Sequence, residues 1–390
     1  MTKSHSPSIP LQIAAFTFIR WVLNISNRMV YPFLRAFARG LGVSEMAVSA
    51  AISGRSLLGA LSPFLALIGD RRGRKTGMLL GLGLFIAGVS LVFLWPSYLT
   101  FFAALSLAYL GFFTFGSSMQ AYLGDAIPYA QRGRALAFAE MGWSLSFVLG
   151  MPLVGLLIDR LGWSSPFPFL AGLGLVSIAI IARVVPKSSP PVTTTGSVQN
   201  LKQVFTSSNA LAGLMFTLCM VAANEVINVV FGVFMEDTFQ LKIAGLGTAA
   251  MVIGFAELGG EIFTASWVDR IGKPRVVRIG VLACSAIALV VPLLGANLWA
   301  VLAVLFLSYL CFEVTFISSL AIISEILPAS RSTMMGANVA AISLGRGLGA
   351  LLAPLIYQWG FQANTLVALG FSILALAALS RIRIACLAPT

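Results

Sequence analysis

Nine ionisable residues lie inside stretches that are otherwise apolar: the acids Glu140, Glu225, Glu257, Glu261 and Glu313, and the bases Arg20, Arg28, Arg55 and Arg346. An ionisable side chain within a membrane span costs a few kcal/mol on insertion scales, so it is kept where it faces a cavity or a partner. Two kinds of chemistry suit such groups: passing a proton, and holding a polar or charged ligand. Glu257 and Glu261 stand one helical turn apart and repel if both are ionised, so one of them is expected to hold a proton. Glu225 and Glu257 fall near the middle of their segments at ~1.5 Å per residue. They are the first candidates for proton coupling, with Glu313 next and Glu261 and Glu140 behind. A static ion pair, for example with Arg346, is the competing use of these carboxylates.

Arg20, Asn24, Asn27 and Arg28 recur at i, i+4, i+7 and i+8, which sets them on one face of a helix. Asn224, Glu225 and Asn228 form a second polar stripe about 200 residues later. With Arg346, these arginines and asparagines are the candidate ligand-binding set; hydrogen bonding between helices is the other use of the asparagines. Three of the four arginines fall in the first half and four of the five glutamates in the second. A division of labour follows, with Arg20 and Arg28 holding a polar or anionic part of a ligand while the second half handles protons. Tyr109, Phe112, Phe113, Phe115 and Trp143 are read as packing groups, because large apolar area is so often buried by aromatic side chains.

The elements that position these groups are long apolar helices. Hydrophobic residues make up 58% of the 390 and charged residues 10%, whereas a soluble domain averages about 25% charged. Mean hydropathy is +0.95. A span needs roughly 20 apolar residues, so the chain has room for about a dozen in a lipid bilayer. Apolar segments fall at about 11–36, 45–68, 77–96, 98–122, 133–157 and 164–184, and again at 208–235, 243–266, 276–295, 297–323, 332–357 and 363–380. The expected fold is an all-α membrane protein with two pseudo-symmetric six-helix halves, residues 1–184 and 208–390, joined by a flexible linker at 185–207. The halves superpose at a nearly constant offset: Asn24 meets Asn224, Gly54 meets Gly254, Asp125 meets Glu325 and Pro128 meets Pro328. A register that holds across a whole half is the mark of an internal repeat.

The formal charge of +12 does not point to nucleic acid, because the basic residues sit in the short connections between spans. Seventeen of the 25 Lys and Arg residues fall on one side when the loops alternate, against Arg35, Arg39, Arg160 and Lys242 on the other. The positive-inside rule then sets both termini in the cytoplasm of a cell-membrane protein. Met1 to Pro10 lacks the apolar core and cleavage site of a signal peptide, so the first span is expected to stay. Cys219, Cys284, Cys311 and Cys386 are scattered and His5 is the only histidine, so neither a metal site nor a cofactor is expected. No Gly-rich run ends in Gly-Lys-Ser/Thr, which leaves nucleotide-driven pumping without a candidate, and without a core histidine or Cys/His cluster no enzyme chemistry is expected.

Asp70-Arg71-Arg72-Gly73-Arg74-Lys75 closes one apolar stretch, and Asp269-Arg270-Ile271-Gly272-Lys273 closes its repeat. The second copy is less complete, with Val268 in place of Gly69 and Pro274 breaking the basic run. Such charges also suit a purely topological role. Gly69 to Lys75 resembles the most distinctive loop motif of the major facilitator superfamily, and Asp125-Ala126-Ile127-Pro128 with Arg132-Gly133-Arg134 resembles that family's segment between the fourth and fifth spans. The resemblance implies two six-helix bundles around a central cavity, and a charge network in which Asp70, Arg74, Asp125 and the segment after Arg331 gate one face. Arg71, Gly73 and Arg132, and in the repeat Asp269, Arg270, Gly272 and Glu325, complete the candidate gate. Gly150-Met151-Pro152-Leu153-Val154-Gly155 is similar to the glycine and proline motif of exporters. Phe112 stands where proton-coupled drug exporters of the family tend to carry arginine. The implied function is secondary active transport of a small molecule by a monomer, with proton-coupled efflux of amphiphilic compounds ahead of a sugar or metabolite carrier or a lipid flippase. Outside transport, a receptor on the same fold is the alternative.

Overall fold

The computed structural model describes residues 8–59, 73–186, 198–295 and 297–382. Eleven helical segments among them are long and apolar enough to cross a membrane. The second span is described only as α3 (Glu45–Gly59), because 60–72 lie outside the described residues. Among the described residues there is no strand.

The first span is two helices, α1 (Ile9–Arg28) and α2 (Leu34–Leu41). Pro32 has no N–H to give the Arg28 carbonyl four residues back, so the ladder stops there. The Tyr31 N–H donates to that carbonyl instead, at 3.2 Å. The remaining helices of the first half are α4 (Arg74–Leu94), α5 (Tyr98–Ala126), α6 (Tyr129–Glu140), α7 (Gly142–Leu145), α8 (Met151–Leu161) and α9 (Pro166–Val184). Helices α6 to α8 form one span interrupted by a π-turn at Ser146–Gly150. Pro152 accounts for the interruption: it cannot donate to the Val148 carbonyl, and a π-turn absorbs the mismatch.

Residues 198–206 of the stretch read as linker are helical, as α10 (Val198–Thr206). Val204 is fully buried among second-half residues such as Phe216 and Met334, and Ser330 Oγ donates to Gln203 Oε1 at 2.9 Å. An amphipathic pattern lets this stretch dock rather than swing freely. The second half continues with α11 (Ser208–Asn228), α12 (Phe231–Phe239), α13 (Ile243–Phe263), α14 (Asp269–Ile271), α15 (Lys273–Val290), α16 (Leu298–Ser324), α17 (Arg331–Tyr357) and α18 (Phe361–Leu379). A second π-turn, Thr264–Val268, extends α13.

The repeat is visible in the backbone. The seventh span breaks at Val229–Val230 just as the first breaks at 29–33. The extensions α2 and α12 both end in the left-handed region, at Gly42 (φ 66°) and Gln240 (φ 54°). Gly73 and Gly272, the turn glycines of the two charged loops, have φ 90° and 95°, which side-chain-bearing residues rarely adopt.

Helices pack mainly within each half, and among the described residues the halves meet where α3 packs on α17, where α7, the π-turn and α8 pack on α13, and where α2 meets α12. At the α8–α13 crossing, Gly247 lies against Met151 and Gly254 against Phe147 and Val148, where added side chains would strike backbone. Small residues allow such close approach. Two serines tie α3 to α17. Ser53 Oγ donates to the Gly347 carbonyl at 2.7 Å, and Ser49 Oγ to the Ala350 carbonyl at 2.5 Å. Pro354, inside α17, deprives Ala350 of its helical donor, so Ser49 supplies the missing hydrogen bond.

Candidate functional site

Between the halves lies a cavity of about 780 Å³, within the range of small-molecule sites. Its mid-membrane wall carries Arg28 and Tyr31 of the first span, Arg55 of α3, Glu225 of α11, Glu257 of α13 and Arg346 of α17. Towards the end of the molecule that bears the basic loops, it is lined by Gln120, Ala137, Ala265 and Gly336. At the other end the halves close together.

The strongest polar contact crosses the halves. Arg28 Nη2 and Nη1 donate to Glu257 Oε1 at 2.5 Å and Oε2 at 2.8 Å, a two-pronged pair whose side chains are only 6% and 8% exposed. Trp143 Nε1 donates to the same carboxylate at 3.2 Å, and the Trp143 carbonyl accepts from Arg28 at 3.0 Å. The guanidinium lies 4.1 Å from the Trp143 ring centre and 3.8 Å from that of Phe147. These partners satisfy charge, hydrogen bonding and the cation's face together, which a buried pair requires.

Among the described residues, no other cavity carboxylate pairs with a cation across the halves. Tyr31 donates to Glu225 at 2.6 Å and Ser144 donates to Glu261 at 2.7 Å. Arg20 pairs with Glu140 inside the first half, over the ring of Phe112, and Gln120 donates to Glu140 at 3.2 Å. Glu313 is buried against Gly260, and Tyr309 donates to Asn228 at 3.1 Å.

Of the residues singled out from the sequence, Arg20, Asn27, Arg28, Asn224, Asn228, Arg346 and all five glutamates lie on the cavity wall. Asn24 does not: a short side chain one turn from each arginine, it is fully buried away from the cavity. Arg20 and Arg28 are already ion-paired, so neither is a free cation. Arg346 is not the partner of Glu257, a place Arg28 takes. Tyr109, Phe112, Phe113 and Trp143, read as packing groups, line the cavity, while Phe115 is core. Arg55 and Tyr31 complete the wall; Arg55 stood among the ionisable span residues, and Tyr31 beside the Val30-Tyr31 break carried no charge to mark it.

At the basic end, Arg74 Nε lies 3.2 Å from Asp125 Oδ2. Asp70, Arg71 and the side chain of Arg132 lie outside the described residues. The repeat does not copy the pair. Asp269 binds Lys273 at 3.0 Å within its own loop, Arg270 stacks on Trp267, and Glu325 binds Arg331 at 2.5 Å. At the opposite end a cluster missed from the sequence joins the halves: Arg35 bridges Glu45 at 2.7 Å and Asp237 at 2.5 Å, Arg39 meets Glu236 at 2.7 Å, and Tyr357 donates to Asp237 at 3.0 Å. Gly232 sits against Pro32 there, with no room for a side chain. Bases in α2 and acids at the matching place in α12 were the available signal.

The Major Facilitator Superfamily model matches residues 16–224 and 211–384. The chain belongs to the Major Facilitator Superfamily. It is 25% identical to the Bacillus subtilis MFS-type transporter YceJ over 359 residues, 89% of each chain. With YwfA of the same bacterium it shares 25% identity over 383 residues, covering 96% of this chain and 92% of that one. A bacterial homolog of the human lysosomal transporter Spinster, solved inward-facing and unoccupied, superposes with TM-score 0.77 at 12% identity, covering 97% and 96%. Superfamily membership makes the chain a multi-pass membrane transporter of the kind that binds small-molecule substrates.

Proposed function

We propose that this transporter exports an amphiphilic small molecule in exchange for protons, by alternating exposure of the central cavity. The observation that carries this reading is the buried Arg28–Glu257 pair, which joins the halves on the wall of a cavity closed at one end and lined towards the other. A proton on Glu257 removes the charge that Arg28 is paired with, so protonation weakens a contact between halves. Glu225, Glu261 and Glu313 serve as further proton stations, while Glu140 stays with Arg20. Asn27, Asn224 and Asn228 orient polar parts of the substrate, and Trp143, Phe112 and Phe113 receive its apolar body. The excess of Lys and Arg in the loops at the cavity's wide end supports a cytoplasmic placement of that end and of both termini in the cell membrane. The described state is then inward-facing, with Arg35, Arg39, Glu236 and Asp237 closing the outer end. The two bundles rock as units of a monomer, and Arg74 with Asp125 gates the inner end.

The test is proton flux into proteoliposomes, followed with an entrapped pH dye while an amphiphile panel is supplied on one side. Substrate-dependent flux that is lost in Glu257→Gln is the expected result. Undiminished pH-driven transport by Glu257→Gln, or binding without any flux, overturns it.

A further inference from the structure

We infer that the substrate of this cavity carries an anionic group, a carboxylate or sulfonate, held between Arg55 and Arg346. The inference rests on the transport reading and names the chemical class of its cargo. Four arginines reach the cavity, and two are spoken for: Arg20 by Glu140 and Arg28 by Glu257. Among the described residues, neither Arg55 nor Arg346 forms an ion pair. Arg55 is 2% exposed, and its Nε and Nη1 make no hydrogen bond. Only Nη2 is used, donating to the Asn27 carbonyl at 2.7 Å and to the Tyr31 hydroxyl at 3.5 Å. A buried cation with unused donors is costly, and Arg55 lies on the cavity wall, where an anion would offset its charge.

Arg346 shares the neighbourhood. Tyr31, Tyr109 and Glu225 lie within its electrostatic reach, and Arg55 lies 5.8 Å and 5.5 Å from the ring centres of the same two tyrosines. Glu225 lies near both guanidiniums and Glu313 near Arg346 as well, so Arg55, whose hydrogen bonds go only to neutral oxygens, is the cation least provided for. A guanidinium fork matches the planar oxygens of a carboxylate or the face of a sulfonate. Trp143 lies 5.2 Å from Arg346, so an aromatic or alkyl body attached to the anion lands on an apolar wall. Arg55 has one other role on view, that of capping the Asn27 carbonyl at the break in the first span. A neutral donor would cap it equally well, so charge is the discriminating property.

Three probes with one naphthyl body separate the possibilities: naphthoate, naphthamide and naphthylmethyl-trimethylammonium, titrated on purified protein in neutral detergent. Naphthoate should bind about tenfold or more tighter than the amide. Arg55→Gln and Arg346→Gln should each lower naphthoate affinity about tenfold and amide affinity much less, and Arg346→Lys, which keeps the charge, should recover part of the loss. Arg346→Gln touches no backbone cap, so it stands as the test if Arg55→Gln folds poorly. Equal binding of the three, preference for the ammonium, no measurable naphthoate binding, or full naphthoate affinity in both Gln variants overturns the inference. Flux in proteoliposomes keeps the two readings apart: an ammonium probe that is both preferred and transported removes the anion site and leaves the transporter standing.

Discussion

Neutralising one member of the Arg28–Glu257 pair should be worse than neutralising both. Each side chain is less than a tenth exposed and the pair is two-pronged, at 2.5 and 2.8 Å. Removing one partner leaves a buried, uncompensated charge, a change worth about 3–5 kcal/mol. In the double variant Arg28→Gln/Glu257→Gln no charge is left. What remains lost are the hydrogen bonds with the Trp143 carbonyl and indole N–H, about 1 kcal/mol each, and the cation's contact with the Trp143 and Phe147 rings. The double variant should therefore be more stable than either single one, with a favourable coupling of at least about 2 kcal/mol. Unfolding of purified protein in mixed micelles with increasing SDS, for wild type and the three variants, measures the cycle. Additivity within about 0.5 kcal/mol would show that the two groups act independently and refute the reasoning. A double variant as unstable as the worse single one would mean that Trp143, not the pair, holds this region.

Ser49→Ala should cost more than Ser53→Ala, about 1–3 against about 1 kcal/mol, because Ala350 has no helical donor whereas Gly347 keeps the Leu351 N–H; adding Pro354→Ala should rescue Ser49→Ala but not Ser53→Ala, as read by thermal unfolding. Gly232→Leu puts a side chain into the Pro32 backbone and should hold the outer end apart; a cysteine placed at Asn228 would then react faster with an impermeant thiol reagent added from outside cells, and an unchanged rate would show that the close approach is not what seals this end. Asp125→Asn should change stability by no more than about 1 kcal/mol, since Asp125 is 62% exposed and such pairs are worth little. Transport should nevertheless slow, and full activity would reduce the Arg74–Asp125 pair to a topological device.

What the sequence disclosed and what it hid divide along a physical line. Helix number, the charged loops and the glutamates are local: an apolar run needs only its own length to declare itself, and an ionisable residue inside one needs only its own cost. Pairing is not local. Glu257 lies 229 residues from Arg28, and nothing in either segment chooses Arg28 over Arg346. Helical periodicity set Asn24 on the same face as Arg20 and Arg28, yet a short amide beside two long side chains does not reach the cavity they share. The prolines were legible and underused. Pro32, Pro152 and Pro354 each remove one backbone donor, and the break, the π-turn and the Ser49 contact all follow from that. The linker's docked helix rests on Val204, whose burial depends on second-half residues that no local pattern identifies.

The lopsided charge distribution takes on a different meaning once the pairs are known. Arginines concentrated in one half and glutamates in the other are complementary surfaces, which draw the halves together wherever they meet. At the end away from the basic loops the attraction is weak. Arg39 is 60% exposed and Asp237 45%, and solvated pairs contribute about 1 kcal/mol or less. Mid-membrane it is strong, because Arg28 and Glu257 are shielded from water. Of the ion pairs between the halves, the one hardest to part therefore lies at the cavity wall, within reach of proton and substrate. A buried pair separates readily only when one member is neutralised or offered another partner. On the proposed mechanism a proton does the first at Glu257, and an anion that occupies Arg55 and Arg346 alters the field that Glu225 and Glu257 both feel. Proton and anion binding are then linked through one set of charges, and linkage is reciprocal: whatever the anion does to proton affinity in this cavity, the proton does to anion affinity by the same factor.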